Sequence, residues 1–205
     1  GTLQVGNGGN LGQLGSGPIV NNASLVYNRS DAVTISNAIS GSGTLTLQGG
    51  IQATFQGTNT SSGALVVETG YADIGIAGLI QCPISLAAGT FLITTNNPAF
   101  TLNQTLSGFG TVDGGLTAVG GTLRPGGVGV GGTLTFLNNL TNNGPVTYEM
   151  ELATAGASDL ISITGDLTVN LDTKTVEVHG QRVHLRQQVR GARRRRQSLA
   201  STGAG

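Results

Sequence analysis

Ten carboxylates carry most of the chemical potential of this chain, and three of them are spaced as though they shared an edge. Asp31, Asp73 and Asp113 are separated by 42 and 40 residues. If each turn of the chain takes about half that interval, they stand two rungs apart. Acids brought together in this way could act as general acid and base on a polysaccharide. Two rungs of parallel strands are roughly 9 to 10 Å, at the far limit for an inverting carboxylate pair and too far for a retaining one. The three therefore read as solvated loop acids. Glu149 and Glu151 in VTYEMEL alternate with Tyr148, Met150 and Leu152, which is what a strand with one wet face produces. Cys82 is the single cysteine, and His179 and His184 are the only histidines. They assemble neither a disulfide nor a zinc ligand set. The stretch GGVGVGG from Gly126 has the glycines of a calcium-binding β-roll repeat but no Asp to hold the ion, and it reads as a turn. Phosphate-binding GxxxxGK[ST] and nucleophile-elbow GxSxG patterns do not occur. No catalytic, cofactor-binding or metal-binding residue is assigned on these grounds, and neither an enzyme nor a cofactor is expected.

The elements that would position such groups are strands. The 205 residues include 35 Gly, 10% charged residues and 4% aromatics, with Thr, Asn, Leu and Val recurring throughout. Such a composition is rich in turn formers and β-branched residues and poor in helix formers. The class expected is all-β. A motif of one small residue, then Thr, Ser or Ala, then an apolar residue returns at Gly1, Ala23, Gly43, Gly63, Gly89, Gly110 and Gly132, at offsets of 22, 20, 20, 26, 21 and 22. Between these sites lie secondary strands at Val33 to Ile35, Ala53 to Phe55, Phe100 to Leu102 and Leu116 to Val119. Two or three strands per period of about 20 to 22 residues describe a parallel β-helix whose coil climbs one strand spacing, about 4.8 Å, per turn. Leu3, Leu25, Leu45, Leu65, Phe91, Val112 and Leu134 would then form one apolar ladder inside the tube. Asn and Gly clusters at Gly6 to Asn10, Asn21 and Asn22, Asn96 and Asn97, and Asn142 to Gly144 supply its corners. An antiparallel sandwich uses the same turn residues at spacings of about 8 to 12, which fits this regularity less well.

The formal net charge of zero hides an asymmetry. Residues 1–179 carry all ten acids against three bases, Arg29, Arg124 and Lys174, and the last 26 residues carry seven arginines and no acid. An acidic body is a poor surface for nucleic acid, and no nucleic-acid partner is expected. The strand grammar stops after Gly180, and 180–205 reads as a separate Arg-rich tail, either disordered or out-of-frame sequence, behind a β-helical body of 1–179. No basic start followed by an apolar stretch marks a signal peptide. The apolar neighbourhood from Leu79 to Ile93 is cut by Gln81, Pro83, Ser85 and Gly89, so it is no spanning helix. The chain reads as an internal fragment whose export signal and anchor lie elsewhere. Asn-x-Ser/Thr triplets start at Asn22, Asn28, Asn59, Asn103 and Asn139, a chance product of this composition.

Two stretches carry a family resemblance. GTLQVGNGG through LGSGPIVNNASLVYNRSDAVTISNAISGSGTLTLQGG, Gly1 to Gly50, resembles the autotransporter-associated β-strand repeat. GGTLRPGGVGVGGTLTFLNNLTNNGPVTYEMELATAGASDLISITGDLTV, Gly120 to Val169, is similar to the closing segment of the same passengers, with GGVGV replacing the usual Asn-Ser-Pro run after Pro125. Ile51 to Asn97 is only loosely repeat-like. The resemblance implies an exported right-handed β-helix from a bacterial surface protein. The function expected is a structural or adhesive stalk or passenger at the cell surface, without catalysis, its outer-membrane anchor supplied by missing sequence. The partners expected are a host or neighbouring-cell surface or a polysaccharide. The alternative is a β-helix that binds or cleaves polysaccharide. Open sheet edges at the ends of such a rod would favour end-to-end self-association.

Overall fold

Strand follows strand in a fixed rotation through three faces. The computed structural model describes residues 1–151 and 158–170, and all its named elements are β-strands. The first face is an eight-stranded sheet running from Thr2–Val5 through Ser24–Asn28, Thr44–Gln48 and Leu65–Val67 to Thr147–Tyr148. The second is a seven-stranded sheet from Ala32–Ile35 through Gln52–Phe55, Tyr71–Ile74 and Phe91–Ile93 to Leu160–Ile163. The third face is split into two four-stranded sheets, one ending at Leu79–Ile80 and the next beginning at Thr101–Leu102. Strands that pair in these sheets do so in parallel, each with its counterpart one turn later, so the antiparallel sandwich is excluded and the chain is a β-solenoid. The loosely repeat-like stretch from Ile51 to Asn97 continues the coils without interruption on the first two faces.

The core follows from alternation. On Thr44–Gln48, Leu45 and Leu47 are buried while the residues between them are not, because successive side chains leave opposite faces of a strand. Leu25, Leu45 and Leu65 are in register on the first face, and none is more than 2% exposed. Each contributes on the order of 1.5 to 3 kcal/mol by leaving water, which a single coil could not secure alone. The expected ladder changes face after Leu65. The residue in register with Leu65 is Ile84, followed by Leu106, Leu123 and Tyr148. Phe91, Val112 and Leu134 lie on the second face, and Phe91 is an outward residue. The offset of 26 marks the jump. Small-Thr-apolar triplets begin strands on both faces, so one motif runs through two different ladders.

Corners explain the small residue of that motif. A Cβ at Gly43 would come within 2.3 Å of the Ala23 carbonyl oxygen, and one at Gly63 within 2.3 Å of that of Gly43. Successive coils approach too closely there for a larger side chain. The expected corner at Gly6 to Asn10 is part of a longer loop that lies beside the first strand of the second face. Gly8 N–H donates to the Asn28 carbonyl at 2.8 Å and Ser30 N–H to that of Gly9 at 3.1 Å. Asn37, 7% exposed, donates from Nδ2 to the carbonyls of Gly15 at 2.7 Å and Gly17 at 2.6 Å. Asn97 repeats this device, donating to Gly75 and Gly78 at 3.0 Å each. The boundary expected at 179/180, the Arg-rich tail and both histidines lie outside the described residues.

Candidate functional site

Asp31 does not share an edge with Asp73 and Asp113. On the second face Thr34, Thr54, Asp73, Ile93 and Asp113 form one register column, and Asp31 sits three positions before Thr34. Coils here take 19 or 20 residues, and the expected spacing of 21 accumulates a slip of three over four turns. Asp31 instead belongs to a structural clamp. Arg29 Nε donates to Asp31 Oδ1 at 2.9 Å and Nη2 to Oδ2 at 2.7 Å, while Nη1 donates to the Gly12 carbonyl. The guanidinium, with a side chain 11% exposed, thus pins the loop of the first coil to the corner that opens the second face. Hydrogen bonds from Arg29, and its charge, hold the Asp31 carboxyl below its ordinary range.

Asp73 and Asp113 do share a column, with Ile93 between them, so they are separated by two rungs, about 10 Å. Asp73 is 8% exposed, and its Oδ2 accepts from Asn96 Nδ2 at 2.9 Å and Thr54 Oγ1 at 3.5 Å. Its Oδ1 is buried and accepts no hydrogen bond. Glu149 pairs with Arg124, and Glu151 accepts from Gly129 N–H. Asp159, 7% exposed, completes this cluster by accepting from Gly132 N–H and Glu151 N–H, both at 2.8 Å. These carboxylates hold the stretch from Gly126 to Gly132, which carries an antiparallel bridge between Gly127 and Val130 and is a turn, as its sequence indicates. Met150 and residue 152 were expected in one strand with Tyr148; the strand is Thr147–Tyr148 and ends before them.

Cys82 is fully buried, and burial raises the pKa of its thiol. Among the described residues no group of three or more His, Cys, Asp or Glu is arranged to hold a metal ion. No described helix is long and apolar enough to cross a membrane.

Aromatic side chains form the most distinctive outer surface. Tyr27 is buried at 3% exposure and Tyr148 is half-buried in the core, but Tyr71 lies on the outside of the second face, in register with Gln52 before it and Phe91 after it. Its hydroxyl donates to Gln52 Oε1 at 3.0 Å. Phe91 is 37% and Phe109 41% exposed, and Phe109 lies on the next coil, where a Cβ at Gly132 would come within 2.7 Å of its ring. Three rings thus occupy three successive coils. Counting tyrosines along the chain misses this strip. The signal that finds it is the second-face frame of Gln52, Tyr71, Phe91 and Thr111, with offsets of 19, 20 and 20.

Comparison with known proteins gives one similarity of specific content. A 46-residue stretch, 22% of this chain, is 52% identical to the protein named Adhesin BmaC autotransporter of Brucella suis biovar 1 (strain 1330). The matched stretch spans 1% of that protein's length. No family model matches the chain, and no solved structure matches it. The chain is a parallel β-solenoid with a local sequence similarity to an autotransporter adhesin.

Proposed function

We propose that this chain is a β-helical stalk or passenger segment of an exported bacterial surface protein, with a structural or adhesive role and no catalytic step. The observation that carries the reading is the 52% identity over 46 residues to an autotransporter adhesin. The geometry supports it: parallel coils stack along one axis, and their acids are spent on holding loops and corners. In this reading the outer-membrane anchor belongs to another part of the parent protein, and the rod stands at the cell surface, where its partner is a host or neighbouring-cell surface or a polysaccharide.

The test is display of the chain on a bacterial outer membrane, fused to a β-barrel anchor. Protease accessibility would establish exposure, and retention of cells on epithelial and polysaccharide-coated surfaces would measure adhesion. Greater retention than with the anchor alone is expected. Unchanged retention together with release of reducing ends from a polysaccharide panel would replace this reading with the enzymatic one.

A further inference from the structure

We propose that Tyr71, Phe91 and Phe109, together with Asp73, form a binding platform for a neutral polysaccharide. This proposal rests on the adhesive reading and names its ligand class. The rings come from consecutive coils and are presented on one side of the rod, Tyr71 and Phe91 in strict register on the second face and Phe109 at the corner that leads into it. The flanking corner is bare: Gly50 and Gly89 have positive φ, and nothing lies within 4 Å of where a Cβ would be. A flat ligand can therefore reach the rings from the side.

The chemistry around the rings selects the occupant. Aromatic faces carry negative charge density and attract the C–H bonds on the apolar side of a pyranose ring. The neighbouring outward positions are Gln52, Thr54, Thr111 and Thr135, which offer uncharged donors and acceptors to hydroxyl groups. Asp73 lies two residues from Tyr71 on the same strand. Its buried Oδ1 has no donor, and buried acceptors are rarely left so. Asn96, which covers it, is an exposed loop residue. A sugar hydroxyl that displaces the Asn96 amide provides the missing hydrogen bond. Apolar peptide side chains carry no such donor. An anionic polymer would need cations, yet the two arginines among the described residues are each already paired with a carboxylate.

The experiment is electrophoresis of the 205-residue chain through native gels containing neutral β-glucan, mannan or xylan. Retardation in at least one of them is expected. Phe91→Ala should weaken it about tenfold, the loss of one stacking partner, and Asp73→Asn should weaken it as well. Leu79→Ala, an exposed third-face residue, should leave it unchanged. Equal thermal melting of F91A and the parent chain establishes that the fold is intact. No retardation in any gel, or equal retardation of F91A, overturns the platform, and capture by an immobilised apolar peptide without glycan retardation assigns the strip to protein contacts instead. Glycan binding without cell adhesion would leave the platform standing and refute the adhesive reading. Adhesion undiminished in F91A would do the reverse.

Discussion

At the residue scale, the charged groups of this rod act mainly on its own backbone. Arg29 is the clearest case, because its guanidinium makes a bidentate pair with Asp31 and also caps the Gly12 carbonyl of the neighbouring loop. Geometry of this kind is worth more than an ordinary surface ion pair, since the planar fork satisfies three acceptors at once. Hydrogen bonding from Arg29, then its charge, lowers the Asp31 pKa. The unfolded chain consequently takes up this proton first as pH falls. The contribution is fully present above the unfolded value of about 3.9 and is lost as pH drops through the lower folded value. Asp31→Asn should therefore melt below the parent chain at pH 7, and the gap should narrow as pH falls below about 4. Thermal unfolding followed by circular dichroism across that range is the check, and a gap independent of pH would mean that Asp31 acts through packing or hydrogen bonds alone.

At the element scale, each strand is set by the corner before it, and the corner is where the sequence is most readable. The small residue at the head of the repeated triplet is required because the coils touch there, as at Gly43 and Gly63. Gly63→Val places a branched side chain against the Gly43 backbone, where the Cβ alone would already come within 2.3 Å of the carbonyl oxygen. Strain at such a position belongs to the rare class of changes costing about 4 kcal/mol or more. Denaturant titration should show a loss of that size, and Gly115→Ala, which opens onto empty space at an exposed position, should show a small one. The same triplet opens strands on two faces, which is why coil count and strand class were legible but the ladder after Leu65 was not. Spacing alone carries no face label. Asp31 was misplaced for a related reason, since an average period of 21 cannot resolve turns of 19 and 20. The aromatic strip was hidden because its members become neighbours only once Tyr71 and Phe91 are placed in the second-face frame.

At the scale of the whole molecule, stability is a sum over neighbouring coils, because each coil buries its interior residues against the one before and the one after. The split third face illustrates how far this independence goes. Strands Leu79–Ile80 and Thr101–Leu102 occupy successive coils without pairing, yet the first two faces run on through the same coils. Segment 94–100 takes up the difference with its own turn, Asn97 N–H donating to Thr94 at 3.0 Å and Phe100 N–H to Asn97 at 2.9 Å. Gln104 then reaches back to the Ile80 carbonyl at 2.8 Å. A coil can thus change one side while its other two sides hold register, which predicts that whole coils are removable. Deleting residues 44–63 joins Gly43 to Ala64 and brings Leu25 opposite Leu65, Val33 opposite Ala72 and Ile39 opposite Ile80, all pairings of the kind already present. The shortened chain should keep its β-sheet circular dichroism per residue and melt cooperatively at a modestly lower temperature. Deleting only residues 44–53 removes half a turn, sends the second-face strand into the place of the first, and should abolish the transition. Equal tolerance of both deletions would show that stability does not reside in the register of stacked coils.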